Sequence, residues 1–119
     1  MGVIKPVIPG TTPDVSVKLH DTDLTGLLVY LTFEHRRGEM TKHGSDVSVV
    51  VDTDAGTGET YSIVSTSLTQ AETLGFPEDS TVKIQVRACN ADGSVAVATY
   101  AGEFPTDEVL LAREIPGEV

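Results

Sequence analysis

The chain has 119 residues, which fits one domain and allows a core that needs no staple, and 39% of them are hydrophobic. Eighteen acidic against eight basic residues give a formal net charge of -10, which sets the chain against nucleic-acid backbones and anionic membranes. A single cysteine, Cys89, excludes an internal disulfide and a cysteine-rich metal site.

Residues 1–13 (MGVIKPVIPGTTP) carry one lysine and no apolar run of signal-peptide length, and no stretch of the chain approaches the roughly 20 apolar residues of a membrane span. Synthesis and folding in a cytoplasm are therefore expected. Pro6, Pro9, Gly10 and Pro13 disfavour ladder pairing, so residues 1–13 are read as an extended N-terminal arm. From Asp14 the apolar period becomes two: Val15, Val17 and Leu19 mark a first strand, and His20–Asp23 with Gly26 a turn. Leu27–Glu34 is a second strand. Leu27, Val29, Leu31 and Phe33 share one face and Leu28, Tyr30 and Thr32 the other, which suits a central position.

A hairpin is expected at Arg36–Glu39, turning on Arg37-Gly38, with a return strand over Glu39–His43. Gly44-Ser45 interrupts it, and strands follow at Asp46–Val51 and Thr60–Thr66, joined by the turn Asp52–Glu59. In Leu68–Phe76 the Thr69/Glu72 spacing predicts a capping box and Gly75 a helix C-cap, hence one helical turn crossing between sheets. Thr81–Cys89 alternates cleanly, with Val82, Ile84, Val86 and Ala88 inward. Asn90–Gly93 turns the chain into Ser94–Glu103. Residues 107–113 are expected to form about two helical turns. The sum is an all-β fold: a β-sandwich of about seven strands over 14–104, immunoglobulin- or fibronectin-like, with an arm at 1–13 and a tail at 105–119. With no tryptophan and no cysteine pair, a true antibody-type core is excluded.

Chemistry-bearing patterns are few. The turn DTDAGTGE places Asp52, Asp54 and Glu59 where oxygen ligands for calcium would sit, although the spacing is not that of an EF-hand; a plain hairpin loop is the competing reading. His20–Asp23 is a weaker candidate of the same kind. His35, Arg36 and Arg37, with Lys42 and His43, form the one basic cluster, suited to an acidic partner surface. His35 and His43 fall on opposite faces of the expected hairpin, against a two-histidine metal site. No G-x-S-x-G, H-E-x-x-H, P-loop or dinucleotide-binding glycine pattern is present. Nothing near Cys89 in sequence would activate it, so it reads as an inert thiol. Tyr30, Tyr61 and Tyr100 lie in strands and read as core or half-core residues.

PGTTP at 9–13, SLTQAETLGF at 67–76, VKIQVR at 82–87, Asp92-Gly93 and DEVL at 107–110 occur in an order and spacing that resembles a group of small, mostly uncharacterised β-rich proteins encoded by phages and prophages of Firmicutes and other gut bacteria. The likeness covers about residues 9–111 and departs from the group over 44–60 and in the tail 112–119. It implies a phage context, as a component of the particle, and it carries no catalytic residues over to this chain.

The expectation is a non-enzymatic virion protein, a capsid accessory or decoration subunit or a head–tail component. It would be present in many copies or as a homo-oligomer, bound to capsid or tail subunits and not to nucleic acid or membrane. Partner contacts are expected from the arm (Pro6, Pro9, Pro13), the hairpin tip (Arg36, Arg37) and the apolar tail (Val109, Leu110, Leu111). No cofactor is expected, calcium at 52–59 being the one candidate. The alternative is a stand-alone binding module, a calcium-dependent adhesin or carbohydrate-binding domain. An enzyme is the third choice.

Overall fold

The computed structural model of the chain describes residues 7–106. They form seven strands: β1 Asp14–Leu19, β2 Leu28–His35, β3 Gly38–His43, β4 Ser48–Thr53, β5 Thr60–Ser67, β6 Thr81–Cys89 and β7 Val95–Pro105. A short helix, α1 (Gln70–Leu74), links β5 to β6, and a 3-10 turn (Gly44–Asp46) precedes β4. Two antiparallel sheets result, in the orders β1-β5-β4 and β3-β2-β6-β7. The hairpins β2–β3, β4–β5 and β6–β7 stay within a sheet, and every other connection changes sheet. Lettered B, C, C′, D, E, F and G in chain order, the strands read B-E-D and C′-C-F-G. This is an immunoglobulin-like Greek key.

Alternation drives the packing. Val15, Val17 and Leu19 of β1 and Val64 of β5 face Val29, Leu31 and Phe33 of β2 and Val82, Ile84, Val86 and Ala88 of β6 across the interior, and all are buried. Beneath the α1 crossover, Phe33, Phe76 and Phe104 form a closed set of rings with centroids 5.7–6.2 Å apart, a spacing at which tilted aromatic pairs attract beyond their buried area. As expected, β2 is central, with β3 and β6 on either side.

Three buried hydroxyls fasten the connections. Ser62 Oγ accepts from the Leu24 amide and donates to the Thr22 carbonyl, holding the β1–β2 loop against β5. Thr73 Oγ1 accepts from the Gly10 amide and donates to the Thr11 carbonyl. Thr106 Oγ1 accepts from the Ser80 amide and donates to the Pro77 carbonyl. Among the described residues no buried side-chain polar atom lacks a partner, as a well-formed interior requires. The Thr73 and Thr106 anchors extend the domain beyond 14–104. Val7 is buried and makes a parallel bridge to Thr106, and its amide bonds the Pro105 carbonyl at 2.9 Å.

Several local expectations shift. The β2–β3 hairpin turns on Arg36-Arg37, with His35 opposite Gly38 and Phe33 opposite Met40. The offset from an Arg37-Gly38 turn arises because Gly38, at φ 141°, joins the ladder itself and Met40 lands over the core beside Phe33. The offset is even, so the faces are unchanged and His35 and His43 still point opposite ways. The strand expected from Asp46 begins at Ser48, because Gly44–Asp46 forms the 3-10 turn and the Asp46 carbonyl accepts from Thr66 Oγ1. The capping box is present in both directions, with Thr69 Oγ1 accepting from the Glu72 amide and Glu72 from the Thr69 amide. Gly75 is the C-cap, but in a right-handed conformation, φ -75°. The helix expected over 107–113 lies outside the described residues.

Candidate interaction surface

Directly paired residues share a sheet face, so the register lays out the solvent side of β3-β2-β6-β7 as four rows. At one end Leu28, Cys89 and Val95 lie side by side, Leu28 and Val95 each 55% exposed. Next come His43, Tyr30, Arg87 and Ala98, then Thr41, Thr32, Gln85 and Tyr100. The last row is charged: Glu39, Glu34, Lys83 and Glu103. The face therefore grades from apolar, through aromatic and cationic, to a carboxylate rim.

Its centre is held in place. The Arg87 guanidinium lies 5.7 Å from the Tyr30 ring centroid, and the His43 ring stacks on Tyr30 at 5.7 Å. Thr32 and Thr41 hydroxyls bond across the strands at 3.0 Å. Tyr100 donates its phenol proton to Glu103 at 2.7 Å, which raises the phenol's pKa. Beside this face an open groove of about 310 Å³, lined by Leu27, Leu28, Tyr30, His43, Val47 and Val49, runs between β2, β3 and the start of β4. Tyrosine and arginine are among the residue types enriched in protein–protein contacts, where charge tends to stand at the rim.

The tyrosines are expected in the core or half-core, and Tyr30 and Tyr61 are indeed half-buried, whereas Tyr100 is not. Tyr100 is 47% exposed, and Tyr30 is half-buried on the outer face. The signal was present for Tyr30, whose position in β2 has the opposite parity to Val29, Leu31 and Phe33. For Tyr100 it was obscured, because β7 carries an irregularity opposite Ile84/Gln85 that shifts its register.

The basic cluster divides. Arg36 and Arg37 are exposed at the hairpin tip, Arg36 lining one open hollow with Glu34, Glu39 and Lys83. Lys42 does not join them. It faces the interior opposite Leu31, and its Nζ lies 2.9 and 2.8 Å from the two Glu72 carboxylate oxygens. Burial pushes the Glu72 carboxyl up, but the Lys42 ammonium and the Thr69 amide outweigh it and hold it below its ordinary value. His35 packs its ring edge-on against Phe76 at 5.5 Å and accepts the Arg37 amide on Nδ1. Desolvation, with the nearby Arg37 charge, lowers its pKa. The tip is thus two arginines on a neutral histidine.

The calcium candidate is not assembled. Asp52 is the last residue but one of β4, opposite Tyr61, and its Oδ1 accepts from the Thr53 amide. Asp54 turns into its own loop, taking the Gly56 and Thr57 amides on Oδ1, which lowers its pKa. Glu59 points to His20, 3.2 Å from Nδ1. The loop therefore satisfies its carboxylates internally or against β1–β2, and no group of three or more histidine, cysteine or acidic side chains gathers in metal-binding fashion among the described residues. Cys89 is half-buried between Leu28 and Val95.

Of the expected arm contacts, Pro9 is buried on this domain and Pro13 half-buried, its carbonyl taking the Leu68 amide. Pro6, Val109, Leu110 and Leu111 lie outside the described residues. No protein-family model matches the chain, and no curated protein matches it.

Proposed function

We infer that the chain is a structural subunit of a phage particle, a β-sandwich that docks onto other virion proteins as a capsid accessory, a decoration subunit or a head–tail component. It is made in the host cytoplasm and carried in the virion. The observation that supports docking is the outer face of β3-β2-β6-β7, where Tyr30, Arg87, His43 and Tyr100 stand in paired rows between an apolar row and a charged rim. The resemblance of PGTTP, SLTQAETLGF and VKIQVR to phage-encoded proteins supplies the setting.

The test is composition of the particle. Virions banded by density and washed in high salt are analysed by quantitative mass spectrometry, with the chain expected in fixed ratio to capsid or tail subunits. Recovery only in the soluble lysate overturns the reading. An Arg87→Glu variant that folds normally should be lost from particles, because it places a carboxylate at the centre of the docking face.

A further inference from the structure

The two sheets present β1, β4, β3 and β7 as edges. Three of them carry features that discourage strand addition. β1 follows Pro13 and includes Asp14 and Lys18. β3 includes Glu39 and Lys42. β7 has two register irregularities, ends in Pro105, and is approached by Val7 at its far end.

β4, Ser48–Thr53 (SVVVDT), carries the fewest of these. It pairs with β5 without a register shift, contains no proline or cation, and is charged only at Asp52. No strand pairs with its other side among the described residues. Val50 is 54% exposed on the solvent face, in a lateral row with Ile63 and Lys18. Val47 and Val49 line the open groove at the same edge.

We propose that β4 is a homotypic edge, and that two copies join by antiparallel β4–β4 pairing about a two-fold axis at Val50, making one continuous six-stranded sheet. The occupant is a second copy because β4 complements itself. With Val50 opposite Val50 of the second copy, Val49 meets Val51 and Ser48 meets Asp52. Apolar thus faces apolar, and each carboxylate faces a hydroxyl rather than another carboxylate. The outer row then runs Lys18, Ile63, Val50 and back through the same residues in reverse, with its cations at the two far ends. The added strand also continues the sheet past the groove that Val47 and Val49 line. Net charge opposes the approach of two copies, and its range shrinks to about 8 Å at physiological ionic strength, so pairing strengthens with salt. This inference concerns the free protein and stands apart from its place in a particle.

Sedimentation equilibrium of the full chain at 0.15 and 0.5 M salt tests it. The wild type is expected to dimerise, more tightly at the higher salt. Val50→Lys puts like charges directly opposite one another and should weaken the dimer by about tenfold or more. Val95→Lys, on the β7 edge, should not. Circular dichroism melting confirms that both variants fold. In a Cys89→Ser background, Val50→Cys should give a covalent dimer on mild oxidation and Val95→Cys should not. A wild type that stays monomeric at 0.5 M salt overturns the proposal, as does a dimer that survives Val50→Lys or is lost equally with Val95→Lys. A monomer would leave the virion reading standing, since a subunit can dock on a different protein; that reading falls only on particle composition.

Discussion

Removing Glu72 and removing Lys42 should have very different costs, although the two residues form one ion pair. Lys42 Nζ reaches both Glu72 oxygens from β3, with side-chain exposures of 9% and 24% respectively. Glu72→Ala leaves the ammonium buried without a counter-charge and also dismantles the capping box with Thr69. Loss of one partner of a fully buried pair costs about 3–5 kcal/mol, and Glu72's partial exposure moves this toward the low end, near 3 kcal/mol with the cap included. Lys42→Met replaces the ammonium with an apolar chain of similar length. Glu72 keeps the Thr69 amide and meets water, so the cost is about 0–1 kcal/mol. Urea unfolding followed by circular dichroism measures both. The double variant Glu72→Ala/Lys42→Met should recover much of the Glu72→Ala loss, because no charge is then left stranded. If Lys42→Met costs as much as Glu72→Ala, or the double variant shows no recovery, the pair does not work as described. Since Glu72's folded pKa is depressed, its contribution is complete above the ordinary carboxylate range and is lost as pH falls through the folded value, so wild type and Glu72→Ala should converge in acid.

The ring set gives a second expectation: Phe104→Ala should lose about 3–5 kcal/mol in the same assay, and a double-mutant cycle of Phe33 with Phe104 should return a coupling of about 0.5–1.5 kcal/mol, whereas additive losses would deny the contact. His35, with its folded pKa lowered, binds its proton more readily unfolded; stability should therefore fall as pH drops from about 6.5 toward the folded value, and His35→Phe should flatten that part of the stability–pH curve. Millimolar calcium should leave the melting temperature unchanged, because binding to the native state would raise it by mass action; a rise abolished by Asp54→Asn would show that the 54–59 loop can reorganise around the ion.

The strands were legible because burial on one face writes a period of two into the chain. Thr81–Cys89 is the clearest case: every inward residue is apolar, every outward one but Cys89 is polar or charged, and the limits match the structure. The Thr69/Glu72 box was equally readable, since capping is a matter of local spacing. What could not be read is what depends on a second element. Lys42 resembles any surface cation until α1 brings Glu72 beneath β3. Asp52, Asp54 and Glu59 look like a ligand set until each is seen engaged elsewhere. The β7 irregularities leave no mark in SVAVATYAGE, and with them went the placement of Tyr100.

The acidity of the chain is unevenly placed, and that bears on the proposed docking. Asp21, Asp23, Asp54, Asp79 and Asp92 lie in the connections between elements, some with their carboxylates bound to local amides, as in Asp54 and Asp92. The solvent faces of the sheets are closer to balance. Lys18 sits 4.2 Å from the Tyr61 ring centroid on one, Arg87 is held over Tyr30 on the other, and Lys83 is paired in register with Glu34 and Glu103. Charged connections keep copies from sticking loop to loop, while the sheet faces and the lightly charged β4 edge can approach another surface at modest electrostatic cost. Moving charge from turn to sheet should invert that behaviour. On the docking proposed above, Thr32→Glu, at the middle of the outer face of β3-β2-β6-β7, should weaken particle binding far more than Asp92→Asn strengthens it.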